Sequence, residues 1–229
     1  RRRQRQMCIR DRYSPVETIG RKIYLLTNDG APRNRLMVAD IDRPGFADWQ
    51  ELVSESGDVL EGVTFTAGKM ILSYMKDACS HAYLYALDGR RLGEIALPGV
   101  GSAGFSGDKD LPDVFYSFSS YSTPGTVYRY DPATNRSTRH SSPKVNFNPA
   151  DHVSEQHFFT SKDGTRIPLF ITYRKGMKRN GRNPLLLYGY GGFNIALTPY
   201  FAATRIPFLE RGGIYVVANL RGGSEYGEE

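Results

Sequence analysis

His81-Ala82-Tyr83-Leu84-Tyr85-Ala86-Leu87-Asp88-Gly89-Arg90-Arg91-Leu92-Gly93-Glu94-Ile95-Ala96-Leu97 reads as two strands joined at Asp88-Gly89. Asp-Gly between apolar runs marks a hairpin because it tolerates positive φ. Met70–Met75 supplies the strand before it. The pattern recurs along the chain. An apolar residue stands four positions before an aspartate in Leu36 to Asp40, Leu84 to Asp88 and Val127 to Asp131, and the aspartates lie 48 and then 43 residues apart. Periods of ~40–50 residues holding several strands suggest propeller blades. Three such units cannot close a propeller, which needs at least about four. The region therefore reads as the end of a longer propeller, cut on its N-terminal side. A β-sandwich with chance spacing is the alternative.

The flanking sequence agrees with strands and tight turns. Ile23–Thr27, Leu36–Ile41, Asp113–Ser119, Thr126–Tyr130 and Arg136–His140 are further strands, with Asn28-Asp29-Gly30 and Asp131–Asn135 as turns. The 24 Gly, 13 Pro, 15 Tyr and 12 Phe among 229 residues suit this class better than a helical bundle. Apolar residues are 40% and charged residues 24%, enough to bury a core. No apolar run approaches the ~20 residues that span a bilayer, so no membrane partner is expected.

The pattern changes after about Val145. Gln156–Thr160 and Arg166–Tyr173 flank Ser161-Lys162-Asp163-Gly164 as another hairpin. Pro184–Tyr188 is a nearly continuous apolar run, as expected of a strand buried on both faces. Tyr200–Arg211 allows a helix stopped by Gly212-Gly213, and Ile214–Ala218 is the next buried strand. Strand, helix, strand is the crossover of a parallel sheet, so this part reads as the beginning of an α/β domain.

The formal charge is +6, but residues 1–12 hold six Arg and one Asp. The remainder carries 24 basic and 23 acidic residues, with both signs interspersed. That gives no basic stripe for nucleic acid. Residues 1–12 read as a non-native segment and are set aside. Cys79 is the only cysteine outside it, with no metal-ligand spacing beside it, and reads as a small buried hydrophobe. No metal or organic cofactor is expected.

Leu187-Tyr188-Gly189-Tyr190-Gly191-Gly192-Phe193-Asn194 follows a strand of a parallel sheet, where open α/β sheets bind ligands. A tyrosine hydroxyl, with reference pKa near ~10, donates a hydrogen bond without titrating at neutral pH. Tyr190 could thus stabilise an oxyanion, and Phe193 could wall an apolar pocket. A Gly-rich turn with two core aromatic residues remains the alternative. G-x-G-x-x-G is absent, because position 194 is Asn, and no Gly-Lys-Ser/Thr follows. In Asn219-Leu220-Arg221-Gly222-Gly223-Ser224-Glu225-Tyr226-Gly227, Ser224 lacks the G-x-S-x-G spacing of a nucleophile elbow. His81, His140, His152 and His157 all precede the parallel strands, so none fills the last place of a Ser, Asp, His order.

Tyr188–Asn194 with Asn219–Gly227 closely resembles the prolyl oligopeptidase family, serine peptidases with a β-propeller over an α/β-hydrolase domain. Ser161–Pro168 is similar to that family's entry into the hydrolase domain, and Asp58–Glu61 and Ser122–Gly125 extend the likeness into the propeller part. The wording YGYGGFN and EYG looks like the proline-specific branch rather than the branch that cuts after basic residues. Ser224 departs mildly, since family members often have Gly there. The resemblance implies C-terminal propeller blades over 13–144 and the N-terminal part of an α/β-hydrolase domain over 145–229. It implies a serine endopeptidase cleaving short peptides after proline through an acyl-enzyme, monomeric at full length. Tyr190 matches the oxyanion-hole tyrosine and Phe193 an aromatic residue near the proline pocket, while the Ser, Asp and His of the triad are expected beyond Glu229. Another oligopeptidase or esterase of the same fold, or a non-catalytic propeller binding module, are the competing readings.

Overall fold

The computed structural model describes residues 12–227. The segment set aside above falls outside the described residues except for Arg12.

Three four-stranded antiparallel sheets follow one another along the chain. The first contains β1 (Tyr13–Ile19), β2 (Lys22–Thr27), β3 (Arg35–Asp40) and β4 (Gln50–Val53). The second contains β5 (Val59–Thr66), β6 (Lys69–Lys76), β7 (Cys79–Ala86) and β8 (Arg91–Glu94). The third contains β9 (Ser102–Ser106), β10 (Val114–Ser119), β11 (Thr126–Asp131) and β12 (Arg136–Ser141). Each is a meander in sequence order, the form of a propeller blade, and the three do not close a ring.

The recurring aspartate has a local cause. In every blade it sits at or just past the end of the third strand. Its carboxylate accepts the backbone N–H two residues on: Asp42 N to Asp40 at 2.9 Å, Arg90 N to Asp88 at 3.0 Å, Ala133 N to Asp131 at 2.9 Å. This Asx turn starts the reversal into the fourth strand, so a short acidic side chain is needed at the same place in each repeat.

The blades stack through apolar faces set by strand alternation. On β6, Met70, Leu72 and Tyr74 join Tyr24, Leu36 and Val38 of the first blade in one core. Ile71, between them, points the other way and packs with Val114, Tyr116 and Tyr130 of the third blade. A central strand flanked by blades on both sides must therefore be apolar at successive positions. Burying a side chain of this size contributes ~1.5–3 kcal/mol.

The fourth sheet is mixed. It contains β13 (His152–Thr160), β14 (Arg166–Arg174), β15 (Leu185–Tyr190) and β16 (Ile214–Asn219), in the order β13-β14-β16-β15. β15 and β16 run parallel, as the strand-helix-strand pattern predicts, while the other pairs are antiparallel. Tyr215 and Val217 meet Phe170, Ile206 and Leu209 in a third core, into which the blades insert Ala78, Cys79 and Tyr121. Cys79 is buried there, and burial pushes its thiol up to about 12, as fits an inert small hydrophobe.

Two expectations need correction. The run over 185–188 is not buried: Leu185, Leu186, Leu187 and Tyr188 are 58%, 52%, 63% and 49% exposed. β15 is an edge strand that pairs only with β16, and no described element covers it. The expected helix over Tyr200–Arg211 shrinks to a 3-10 turn at Ala203–Arg205 and a single turn, α1 (Ile206–Glu210). Phe201 N donates to Ser119 Oγ at 3.0 Å, which holds the preceding backbone extended against the third blade. Gly212, at φ 85°, closes the helix where the sequence places the stop.

Candidate active site

Register pairs Tyr190 with Asn219 at the C-terminal ends of the parallel strands. Paired residues share a face, so Tyr190 looks the same way as Tyr215 and Val217, toward the blades. Each strand then turns through a Gly-rich loop, and the two loops lock together. Asn194 N donates to Gly222 O at 3.0 Å. A Cβ on Gly191 would strike the carbonyl oxygens of Leu220 and Arg221, and one on Gly222 would strike the carbonyl of Gly191. The two backbones are in direct contact, which only glycine allows.

Past this contact the chain takes positive φ at two non-glycine residues, Phe193 (53°) and Asn194 (58°). Asn is common in this region, whereas a bulky aromatic residue there is an outlier. The conformation throws the Phe193 ring into solvent, 92% exposed. Such outliers persist where surroundings enforce them and concentrate at functional sites. The Tyr190 hydroxyl lies over Gly192, close enough that a Cβ there would sit 3.3 Å away. No described residue hydrogen-bonds that hydroxyl, so it is free to donate to a ligand. The alternative of two core aromatic residues does not fit an exposed Phe193 and an unengaged Tyr190 hydroxyl.

The second loop folds around a carboxylate that the sequence reading passed over. Glu225 and Asn219 are both buried, and Asn219 Nδ2 donates to Glu225 Oε1 at 3.1 Å and to Leu197 O at 3.0 Å. The acidic residue six positions after a strand-ending Asn was the available signal. Arg221 forms an ion pair with Asp163 in the β13–β14 turn. The Thr165 backbone N–H, and then Arg221, hold the Asp163 carboxyl well below the usual carboxylate range. Both partners are exposed, so solvent screens the pair and it acts as a tether more than a source of stability.

Ser224 lies in this loop without a histidine partner, and no described serine hydroxyl bonds a histidine ring. His157 bonds Glu155 at 3.0 Å, His81 approaches Glu94 at 3.8 Å, His140 packs on Phe115 and His152 on Phe147. Among the described residues no cluster of His, Cys, Asp or Glu is suited to a metal. None of the described helices is long and apolar enough to cross a membrane.

The family model described as the prolyl oligopeptidase N-terminal β-propeller domain matches residues 7–142. The prolyl endopeptidase of Elizabethkingia meningoseptica is 44% identical over 215 residues, covering 93% of this chain and 30% of that protein. Prolyl oligopeptidase A of Galerina marginata is 34% identical over 223 residues, covering 95% of this chain and 30% of that protein. A structure from a mechanistic study of two prolyl endopeptidases superposes with a TM-score of 0.87 at 41% identity, covering 96% of this chain and 32% of that one. Prolyl oligopeptidase B of Galerina marginata, bound to a 35mer hydrolysis and macrocyclization substrate, gives 0.85 at 30% identity, covering 95% and 31%. The chain thus spans about 30% of the length of the curated relatives it matches.

Proposed function

The chain belongs to the prolyl oligopeptidase family, and we propose that the whole protein is a serine peptidase cleaving short peptides after proline. Residues 13–144 are then the last blades of its propeller. Residues 145–229 are the start of its α/β-hydrolase catalytic domain, with β15 and β16 as parallel strands of that sheet. On this reading the acylating serine and the histidine that takes its proton belong to the part of the whole protein outside this chain. As that serine attacks the peptide carbonyl, negative charge gathers on the carbonyl oxygen. The Tyr190 hydroxyl donates to this oxyanion, and Phe193 walls the cleft beside the residue before the cut. The propeller limits access to short peptides.

The observation that carries this reading is the unengaged Tyr190 hydroxyl at the C-terminal end of the parallel pair, on the face toward the blades. The test is turnover of a chromogenic peptide with proline before the reporter, compared with an ester and with a peptide cut after a basic residue. The whole protein should prefer the proline peptide. The isolated 229-residue chain should turn over none of the three, because an oxyanion donor alone forms no acyl-enzyme. Preference for the ester or the basic peptide would refute the substrate assignment.

A further inference from the structure

The β6–β7 hairpin of the second blade ends in a two-residue turn, since Lys76 pairs with Cys79. Both turn residues, Asp77 (φ 50°) and Ala78 (φ 64°), have positive φ, although neither is glycine. That geometry is the type I′ hairpin turn, usually supplied by Asn-Gly. It persists here because three contacts hold the tip. Ala78 is fully buried in the third core, among Phe170, Leu209 and Tyr215. Gln156 Nε2 of β13 donates to the Asp77 carbonyl at 2.5 Å. The Asp77 carboxylate accepts the Tyr226 hydroxyl at 2.8 Å, across 149 positions of sequence. Burial, and then the bond to Asp77, push the Tyr226 phenol up.

Tyr226 adjoins Glu225, whose carboxylate holds Asn219, and the same loop offers Gly222 O to Asn194. The loop's backbone at Leu220 and Arg221 is the surface on which Gly191 rests. A continuous set of contacts therefore runs from the blade tip to the turn that presents Tyr190. We propose that Asp77, in the propeller, is a positioning residue for the Tyr190 turn, acting through the Tyr226 hydroxyl. This rests on the reading of Tyr190 as the oxyanion donor. Neither Asp77 nor Tyr226 touches the reacting atoms. Their bond sets where the donor stands relative to the cleft, so loosening it weakens transition-state contact more than substrate contact.

The test uses the whole protein and four variants. Tyr226→Phe removes only the donor. Asp77→Gly removes the acceptor and keeps a turn that accepts positive φ. Asp77→Asn restores an acceptor in the same turn, and Tyr190→Phe reports on the site itself. We expect Tyr226→Phe and Asp77→Gly each to lower turnover about tenfold, inside the ~10²-fold that a 1 Å misplacement costs. The Michaelis constant should change little, the double variant should be no worse than the worse single, and Asp77→Asn should recover most of the loss. Amide exchange over Gly189–Asn194 should quicken in Tyr226→Phe with the melting temperature unchanged. Parent-level turnover in both singles, additive losses in the double, no recovery with Asn, or unchanged exchange would each overturn the proposal. If Tyr190→Phe loses turnover while the Asp77 and Tyr226 variants keep it, positioning fails and the site reading stands. If Tyr190→Phe keeps turnover, the site reading fails and this proposal fails with it.

Discussion

Tyr190→Phe is the sharpest perturbation of the proposed site, since it deletes one hydroxyl and leaves the ring. The hydroxyl has no hydrogen-bond partner among the described residues, and the nearest crowding is Gly192. Folding therefore loses no hydrogen bond, and the ~0.5–1.5 kcal/mol that a typical intramolecular bond contributes is not at stake. The melting temperature should stay within error of the parent. The transition state is affected differently. Charge reaches the carbonyl oxygen only as the tetrahedral species forms, so the donor's contribution appears in turnover rather than in substrate binding. Loss of one oxyanion donor costs ~10²–10³ in turnover, about 2.7–4 kcal/mol. Steady-state kinetics of the whole protein on a proline peptide should show that fall with a much smaller change in Michaelis constant. A thermal melt of the same preparation separates the two contributions. Unchanged turnover with a lowered melting temperature would mean that the hydroxyl is structural and the catalytic assignment wrong.

Phe193→Ala should raise the Michaelis constant for proline peptides and leave the melting temperature unchanged, because the ring is 92% exposed and fills no core; a clear loss of thermal stability would contradict this. Gly191→Ala should cost ~1–3 kcal/mol in urea unfolding, since its Cβ would strike the Leu220 and Arg221 carbonyls, and should also abolish turnover by displacing Tyr190. Ile71→Ala should destabilise by ~2–5 kcal/mol, as Ile71 is fully buried between the second and third blades; a loss under ~1 kcal/mol would show that the blades close over the gap. Asp131 is held below the usual carboxylate range by the Ala133 N–H and then by the Thr134 hydroxyl. Its folded pKa is depressed, so its stabilisation is present above the unfolded value, near ~3.9, and is lost as pH falls through the folded one. The stability advantage of the parent over Asp131→Asn should shrink below about pH 4 in thermal melts, and a pH-independent difference would refute the assignment.

Features with a local cause are legible in the chain's residues alone. Asp40, Asp88 and Asp131 mark the blades because an Asx turn needs only the aspartate and the N–H two residues on. The strands β6 and β7 are legible because each is a short apolar run bounded by turn residues, and a hairpin's turn signal lies within the hairpin. Gly212 shows the helix stop for the same reason, since positive φ is a single-residue demand. Features that depend on neighbours remote in sequence follow only from the folded chain. The Leu185–Tyr188 run looks doubly buried, yet burial belongs to whatever covers a strand, and none of the described residues covers β15. Tyr200–Phe201 could be helical by composition, but Ser119 of the third blade takes the Phe201 N–H and keeps the backbone extended. YGYGGFN shows that glycine is needed, whereas only the folded chain shows that Gly191 lies against Leu220 and Arg221. The pairing of Asp77 with Tyr226 has no trace in either local segment. A hydrogen bond across 149 residues exists because two separately folded surfaces meet, and no periodicity or propensity of a short segment encodes where that meeting falls.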